Sequence, residues 1–260
     1  MTPRDTFSDL ARFYDPIMRE ADYDRWLVVS TVVAELCGRQ PFKHIDLACG
    51  TGHLLKRLIQ HGWESVGIDV SHAMLLEARK GPFRSKVAAA DLCDLPFGRR
   101  FHYATCIFDS FNFLLDFAQL RRALQCAADV LLEDGVLYFD VITERMVTEH
   151  FADMKWTEDN GTFSTTWKGT FDRATAIADI RIRVNTGPET LVRERVYTGE
   201  EIRSALDDAG LVLLAEVDST TWRKPTYRST RLDMVAVKSD SKEIRKRFEK
   251  IRTRIQGLLA

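Results

Sequence analysis

The segment 45–52, IDLACGTG, places two glycines directly after a short apolar run that is typical of a buried strand. Glycines in such a turn let the backbone approach a ligand closely. The dinucleotide fingerprint needs three glycines, whereas this sequence has Ala48, Gly50 and His53 at those positions. Asp46 puts a negative charge at the base of the turn, which disfavours a pyrophosphate and favours a cation. The turn therefore predicts a site for a nucleoside that carries a positive charge.

Two more carboxylates follow the next strands of the chain. Asp69 ends the strand-like run 65–69, about twenty residues after the turn, where an acidic side chain can accept hydrogen bonds from both ribose hydroxyls. Asp91 and Leu92 follow the run 86–90 and offer an acceptor for an adenine amine and a backbone amide for a ring nitrogen. The alternatives are a helix cap at Asp69 and a loop role at Asp91.

The elements that must position these residues alternate between strands and helices. Apolar runs predict strands at 44–48, 65–69, 86–90, 101–108, 135–141, about 211–218 and 231–237. Amphipathic patterns predict helices at 53–62, 72–80, 116–132 and 198–210, with Ser71 as one N-cap and Thr198 with Glu201 as a capping box. The sequence therefore predicts an α/β, Rossmann-like, doubly wound and mostly parallel seven-stranded sheet.

Between 149 and 197 the pattern changes to alternating polar and apolar residues. The segments 163–171, 178–184 and 190–197 predict an antiparallel β insertion. Trp167 lies on its aromatic side, which either roofs an acceptor pocket or packs on the main domain. The other side carries four arginines that either bind an acidic acceptor or form a solvated face: Arg181, Arg183, Arg193 and Arg195.

Five segments, in order and spacing, resemble the class I S-adenosylmethionine-dependent methyltransferases, particularly small-molecule N-methyltransferases. They read DLACGTGHLL, VGIDVSHAML, AAADLCDLPF, CIFDSFNFLLD and LLEDGVLYFDV. The resemblance covers about 40–142 well and 198–238 loosely. It implies S-adenosylmethionine as cofactor, S-adenosylhomocysteine as product, and a small-molecule acceptor, most simply an amine. It also implies a cofactor site built from Tyr14, Asp46, Ala48, Gly50, Gly52, Asp69, Val70, Met74, Asp91, Leu92 and Phe108.

The segment FDSFNF lies, in related enzymes, beneath the sulfonium and the acceptor atom. Asp109, Asn112 and Tyr14 are therefore predicted as catalytic residues, although Asp109 fits a turn cap equally well. Methyl transfer is an in-line displacement, so positioning and exclusion of water are expected to dominate. Should an amine have to lose a proton, four groups could assist, and the sequence does not choose among Asp109, Glu194, Tyr197 and His150. Tyr197 is also predicted as a substrate residue.

The chain is predicted to divide into five regions. They are an N-terminal helical lid (1–40), a cofactor-binding core (41–148), the β insertion (149–197), a completion of the core (198–238) and a basic amphipathic helix (239–260). Within the lid, Tyr23 and Trp26 are expected to be core residues. The last helix is expected to pack on its own subunit or on a second one, which makes a homodimer one hypothesis for its role.

Composition narrows the class of partner. Lys and Arg (37) nearly balance Asp and Glu (38), so nucleic acid is not the expected partner. Five scattered cysteines, no apolar leader and no long apolar run predict a cytoplasmic protein without a membrane span, and the spread of the histidines predicts no metal site. The alternative functions are an RNA or protein methyltransferase and a non-catalytic cofactor-binding subunit. An NAD enzyme is a weaker alternative, because the third glycine of the dinucleotide fingerprint is missing.

Overall fold

The structure is a computed structural model that describes residues 5–38, 43–80 and 86–260. The predicted boundary at 40/41 lies outside the described residues. The helices are α1 (Ala11–Ile17), α2 (Tyr23–Val33), α3 (His53–Gln60), α4 (His72–Ala78), α5 (Phe117–Val130), α6 (Glu144–His150), α7 (Gly199–Asp208) and α8 (Lys242–Leu258). The strands are β1 (Lys43–Leu47), β2 (Glu64–Asp69), β3 (Val87–Ala89), β4 (Phe101–Cys106), β5 (Leu131–Ile142), β6 (Lys155–Asp159), β7 (Ser164–Asp172), β8 (Ile177–Val184), β9 (Glu189–Arg195), β10 (Val212–Asp218) and β11 (Arg231–Val237).

The main sheet has seven strands in the order β3-β2-β1-β4-β5-β11-β10. Strand β11 is antiparallel to both of its neighbours, and the other pairs are parallel. This confirms the predicted Rossmann-like sheet. The strand order reverses between β1 and β4, and ligands of open α/β sheets bind at the carboxyl ends of strands at such a switch point. The turns after β1 and β4 therefore border the expected crevice.

Helix starts follow the predicted capping chemistry. The Ser71 hydroxyl accepts a hydrogen bond from the backbone N–H of Met74, and Thr198 and Glu201 form the reciprocal capping box of α7. A second capping box at α5, made by Asp116 and Gln119, was not predicted. Such caps satisfy backbone donors that helix starts leave open, so local sequence suffices to fix where these helices begin.

Several element predictions were wrong in their extent. The helix predicted at 116–132 ends at Val130, and the strand predicted at 135–141 begins directly after it, at Leu131. The strand predicted at 101–108 ends at Cys106, because Phe108 and Asp109 adopt left-handed backbone angles (φ 62° and 52°). The insertion forms a separate four-stranded antiparallel sheet, β6-β7-β8-β9, and its first strand and the preceding α6 were not predicted. Strand β6 is mostly exposed, so its sequence lacks the apolar alternation that marks a half-buried strand.

Helix α8 packs against its own chain. Phe248, Ile251 and Ile255 are buried in the same apolar cluster as Trp26 and Val29 of α2. The structure thus decides between the two predicted packing modes for the apolar face of this helix. Several basic side chains of α8 form ion pairs with acidic neighbours, which are Arg247 with Glu243, Arg252 with Glu249 and Arg254 with Glu35.

The second sheet turns its buried face toward the N-terminal segment. Trp167, Ile180 and Val192 form an apolar cluster with Leu10, and Phe13 contacts Phe163 with ring centroids 4.8 Å apart. The insertion and the predicted lid are therefore packed together.

Candidate active site

The glycine turn after β1 is open on its ligand side. Gly50 has a left-handed φ of 54°, and a Cβ added there would meet no heavy atom within 4 Å. Ala48 also has a left-handed φ, of 55°, which alanine adopts at a cost. On its other side, the turn packs against Gly67 of β2, where an added Cβ would lie 2.7 Å from Cys49 Sγ. The turn is thus packed against β2 on the side of Cys49 and has open space at Gly50.

Asp69 lies beside this turn at the end of β2. Its two carboxylate oxygens accept hydrogen bonds from the backbone N–H groups of Gly50 and Ser71, each 2.8 Å long. A carboxylate has about four acceptor positions, so Asp69 keeps acceptor capacity for a ligand beyond these bonds. Burial raises the pKa of Asp69, although these backbone donors partly offset that effect. Asp69 therefore joins the glycine turn to the start of α4 and still offers acceptors.

Helix α1 is tied to the glycine turn by Asp15. Its Oδ1 accepts a hydrogen bond from the Thr51 hydroxyl (2.6 Å) and lies 3.1 Å from His53 Nε2. These contacts hold the N-terminal helix over the carboxyl end of β1.

The next residue group joins the ends of β4, β5 and β11. Arg231 donates from Nη1 to Asp109 Oδ1 (3.0 Å) and to Asp140 Oδ2. The Asp140 carboxylate also accepts the backbone N–H groups of Phe108 (2.6 Å) and Asp109 (3.0 Å). These bonds account for the two left-handed residues that end β4. The carboxylates raise the pKa of Arg231 despite its burial, so the guanidinium stays charged.

An aromatic wall made by Tyr23, Trp26 and Phe108 borders this group. The Tyr23 ring stacks on His53 at 4.5 Å, and Phe108 lies edge-on to Trp26 at 5.2 Å. Arg231 lies over the Phe108 ring at 5.4 Å. Trp26 Nε1 is buried and has no hydrogen-bond partner among the described residues. Tyr23 and Trp26 thus pack as core residues and also face the charged group of β11.

Tyr14 of α1 lies between the two groups. Burial raises its pKa well above the usual range, and the charges of Tyr23, Asp109, Asp69 and Glu194 raise it further. The hydroxyl is therefore neutral near pH 7 and can donate a hydrogen bond.

Asp46 begins a buried polar chain beneath the turn. Its Oδ1 accepts from the Thr105 hydroxyl (2.7 Å), and Thr105 Oγ1 is 2.9 Å from His44 Nε2. Burial raises the pKa of Asp46 to about 7 and lowers that of His44 to about 3. Because Thr105 donates to Asp46, neutral His44 donates from Nε2 to Thr105.

The other predicted cofactor residues fall into different surroundings. Val70 is 73% exposed beside Asp69, whereas Met74 is buried in α4. Asp91 is exposed and accepts the backbone N–H of Cys93 (2.8 Å), and Leu92 packs against the main core. Gly52 has a left-handed φ of 80° directly before α3. The local bond of Asp91 leaves acceptor positions open, so its predicted adenine contact stays a prediction.

Two predicted site residues hold the backbone together. Asn112 donates to the carbonyl of Arg195 (2.8 Å) and accepts from the N–H of Ile142 (3.2 Å), which joins the turn after β4 to β9 and β5. The Tyr197 hydroxyl donates to the backbone carbonyls of Leu114 and Asp116. Their positions beside the site follow from these bonds, and a catalytic or substrate role for either stays a prediction.

The four predicted substrate arginines each have an acidic partner. Arg181 and Arg183 pair with Glu189, Arg193 pairs with Asp179, and Arg195 pairs with Glu201. Arg183 and Arg193 are exposed, on the side of the second sheet opposite its buried face. Trp167 lies on that buried face and stacks on Trp156, with ring centroids 5.5 Å apart. Acceptor contacts by these residues stay predictions.

Comparisons with known proteins agree with this geometry. The profile of a methyltransferase domain matches residues 45–135. A crystal structure of an S-adenosylmethionine-dependent methyltransferase from Clostridium acetobutylicum is similar with a TM-score of 0.75, at 25% identity over 90% of this chain and 99% of that one. The chain carries a methyltransferase domain and has the fold of the class I S-adenosylmethionine-dependent methyltransferases. A relative from Geobacillus sp. (strain WCH70), provisionally named a methyltransferase, is 28% identical over 90% of this chain and all of its own length.

A third relative of this methyltransferase has a more specific name. The dTDP-3-amino-3,6-dideoxy-alpha-D-glucopyranose N,N-dimethyltransferase of Streptomyces fradiae is 30% identical over 135 residues, which are 51% of this chain and 53% of that protein.

Sequence reasoning missed three charged residues of the methyltransferase site: Asp15, Asp140 and Arg231. Asp140 lies in the otherwise apolar run LYFDV, and an aspartate inside a buried strand needs a partner. The aspartate in this apolar run therefore indicates a buried charged partner. It does not identify that partner as Arg231, which lies 91 residues away in sequence.

Two features are absent from the described part of the methyltransferase. It contains no helix that is long and apolar enough to cross a membrane. Nor does it contain a group of three or more His, Cys, Asp or Glu side chains placed to hold a metal ion.

Proposed function

We propose that the protein methylates an amine nitrogen of a small-molecule acceptor. The observation that carries this proposal is the excess of carboxylates at the carboxyl end of β4. Asp109, Asp140 and buried Glu194 lie around the guanidinium of Arg231. Such a group favours a positively charged acceptor over a neutral or anionic one. An amine that arrives as an ammonium ion meets this requirement.

The residues around the glycine turn fit S-adenosylmethionine. The space above Gly50 is open, Asp69 keeps acceptor positions, and Tyr14 has a neutral hydroxyl beside it. The nearby acidic groups suit a cofactor that carries a sulfonium and an ammonium charge. We propose that Asp69 binds the ribose, Asp91 and Leu92 bind the adenine, and Tyr14 and Asp46 lie at the methionine end. The proposed remaining contacts are with Ala48, Gly50, Gly52, Val70, Met74 and Phe108.

S-adenosylmethionine bound at this site would supply an electrophilic methyl group for in-line transfer to the acceptor nitrogen. The chain's own contribution is to position the acceptor and exclude water. The aromatic wall of Tyr23, Trp26 and Phe108 supports exclusion of water, since its rings cover the end of β4. The fixed group of Asp109, Asp140 and Arg231 supports positioning, because its hydrogen bonds leave little freedom to the turn after β4.

We also propose roles for the flanking regions. The bonds from Asp15 to Thr51 and His53 support a lid role for the N-terminal region, because they hold α1 over the glycine turn. The buried face of β9, which carries Glu194, supports a role for the insertion in binding the acceptor. Opening of the lid would then require only the loss of a few polar contacts and of the packing against the second sheet.

Relatives that act on amino sugars support the choice of nitrogen. The Streptomyces fradiae relative is named an N,N-dimethyltransferase of a dTDP-amino sugar. The sugar N-methyltransferase KedS8 of a Streptoalloteichus species shares the fold with a TM-score of 0.70 at 21% identity, over 88% of this chain and 92% of that one.

A turnover screen tests the proposed function. Formation of S-adenosylhomocysteine is measured with panels of primary amines, carboxylates and phenols as acceptors. We expect turnover with one or more amines, and no turnover with phenols or carboxylates. Turnover confined to oxygen acceptors, or none with any amine, would contradict the proposal.

A further inference from the structure

Glu194 carries a buried carboxylate oxygen that lacks a partner. Glu194 lies near the end of β9, where successive residues alternate between the two faces of the second sheet. Its side chain lies on the buried face, as does that of Val192. Only 6% of the residue is exposed. Oε2 is fully buried and has no hydrogen-bond partner among the described residues. An unpaired buried carboxylate costs free energy, so its presence requires an explanation.

Three other elements surround Glu194 with charged or ionisable groups. They are Asp109 after β4, Arg231 at the start of β11 and Tyr14 of α1. Burial raises the pKa of Glu194 well above its usual range; the negative charge of Asp109 raises it further, while Arg231 opposes the shift. Arg231 already donates to Asp109 and Asp140, so its charge is shared among three carboxylates.

The other ionisable candidates at this end of the molecule are occupied or distant. Asp109 Oδ1 accepts from the Arg231 guanidinium. Burial raises the pKa of this carboxylate, but the positive charge of Arg231 lowers it and so makes Asp109 a weaker base. The Tyr197 hydroxyl donates to two backbone carbonyls. His150 is exposed at the end of α6. Arg193 and Arg195, which flank Glu194 on β9, pair with Asp179 and Glu201 instead. The sequence offered four groups for proton transfer. Among them, only Glu194 has a buried side-chain oxygen that lacks a hydrogen-bond partner among the described residues.

We infer that Glu194 receives the ammonium group of the acceptor and takes one proton from it. The N–H bond breaks, its electron pair stays on nitrogen, and the proton forms an O–H bond on Glu194 Oε2. The acceptor becomes a neutral amine with a free lone pair, and Glu194 becomes a neutral carboxylic acid. The total charge of the site is unchanged. This inference rests on the proposed function, since it assigns a residue to the nitrogen acceptor.

The site has the properties that a base for this step needs. Glu194 Oε2 is buried without a hydrogen-bond partner in the described part of the chain, so it can accept a hydrogen bond from an ammonium group. Burial raises the pKa of this carboxylate, which makes it a stronger base than an exposed glutamate. Tyr14 and Trp26 lie in the same part of the molecule and supply donors but no competing base. An ammonium ion next to Glu194 would also offset part of the cost of burying this carboxylate.

The test uses the full-length protein and the amine from the panel that it methylates fastest. Rates of S-adenosylhomocysteine formation are measured from pH 6 to pH 10 for the wild type, Glu194→Gln and Glu189→Gln. Glu189 is the matched control, because it lies on β9 but is exposed and pairs with Arg181 and Arg183. Circular dichroism and binding of S-adenosylhomocysteine establish that each variant is folded.

We expect Glu194→Gln to lower kcat about 100-fold or more near pH 7, the range typical for loss of a general base. The defect should shrink as the pH approaches the pKa of the amine itself, because the acceptor then arrives without the extra proton. Glu189→Gln should keep the wild-type profile. A Glu194→Gln profile equal to that of the wild type, or a defect that stays constant with pH, would overturn the role of Glu194 while leaving amine methylation intact. Absence of amine turnover by the wild type would instead contradict the proposed function itself.

Discussion

Asp69 and Asp109 show how hydrogen-bond partners decide what a buried carboxylate can do. The Asp69 carboxylate accepts hydrogen bonds from the backbone N–H groups of Gly50 and Ser71. These bonds fix its orientation beside the glycine turn and leave acceptor capacity for a ligand. Asp109 accepts from the Arg231 guanidinium and is thereby tied to Asp140. Burial raises the pKa of both residues. The first is therefore suited to binding a ligand, and the second to fixing the end of β4.

Replacing Asp69 tests the proposed ribose contact. Asp69→Asn should weaken binding of S-adenosylhomocysteine about 10-fold or more, because a charged acceptor and the orientation of the turn are both lost. Isothermal titration calorimetry measures the change in Kd. Asp129→Asn is the matched control, since Asp129 is exposed on α5 and pairs only locally with Gln125. Equal Kd values for the two variants would contradict a ribose role for Asp69.

The raised pKa of Asp46 predicts a pH-dependent stability. An acid whose pKa is about 7 when folded and about 4 when unfolded binds more protons in the folded protein. Its contribution to the free energy of unfolding is therefore lost as the pH rises through this window. Relative to the wild type, Asp46→Asn should gain about 3 kcal/mol in free energy of unfolding between pH 5 and pH 8.

Urea denaturation at the two pH values measures this gain. The free energy of unfolding of the control variant Asp129→Asn should differ from that of the wild type by the same amount at pH 5 and at pH 8. A constant difference for Asp46→Asn as well would show that Asp46 has an ordinary pKa.

At the scale of elements, β2 supports the glycine turn through close contact. A Cβ at Gly67 would lie 2.7 Å from both Cys49 Sγ and Leu55 Cδ2. Gly67→Ala should therefore lower the free energy of unfolding by about 1–3 kcal/mol, the usual cost of overpacking. Gly98→Ala serves as control, because nothing lies within 4 Å of its added Cβ. Chemical denaturation measures the free energy of unfolding of both variants. Equal values for Gly67→Ala and Gly98→Ala would contradict the close contact at Gly67.

The sequence predicts most elements because their signals are local. Strand β11 was predicted at 231–237 and is found there, since its apolar run and its flanking turn are both short-range features. Strand β4 ends early because Asp140, about thirty residues later, accepts the N–H groups of Phe108 and Asp109. The pairing of Arg231 with Asp109 spans 122 residues. Local sequence does not encode such contacts, so the glycine turn, Asp69 and Asp109 were predicted, whereas Asp140 and Arg231 were not.

At the scale of the whole molecule, α8 forms part of the core. Its buried face contacts α2, which carries Trp26 of the aromatic wall. Phe248→Ala should lower the free energy of unfolding by about 3 kcal/mol, the typical cost of removing a buried phenylalanine ring. Lys246→Ala, on the exposed side, should change it by less than about 0.5 kcal/mol. Denaturant unfolding measures both, and a similar effect of the two substitutions would contradict the packing of α8 on its own chain.

The homodimer hypothesis for α8 is a separate question. Light scattering compares the mass of the full chain with that of a chain that lacks residues 240–260. A dimer that becomes a monomer on truncation would support it. An unchanged mass would rule out a role for this helix in assembly.

The overall charge and the site geometry agree on the class of ligand. The near balance of acidic and basic residues and the ion pairs along α8 argue against a phosphate-backbone partner. The glycine turn, Asp69 and Tyr14 support a cofactor that is a positively charged nucleoside.

Calorimetric titration of the wild-type protein with S-adenosylmethionine, S-adenosylhomocysteine and NAD tests the central claim most directly. The account predicts saturable binding of the first two, one molecule per chain, and no binding of NAD. Saturable binding of NAD, with no heat from either adenosyl ligand, would contradict it.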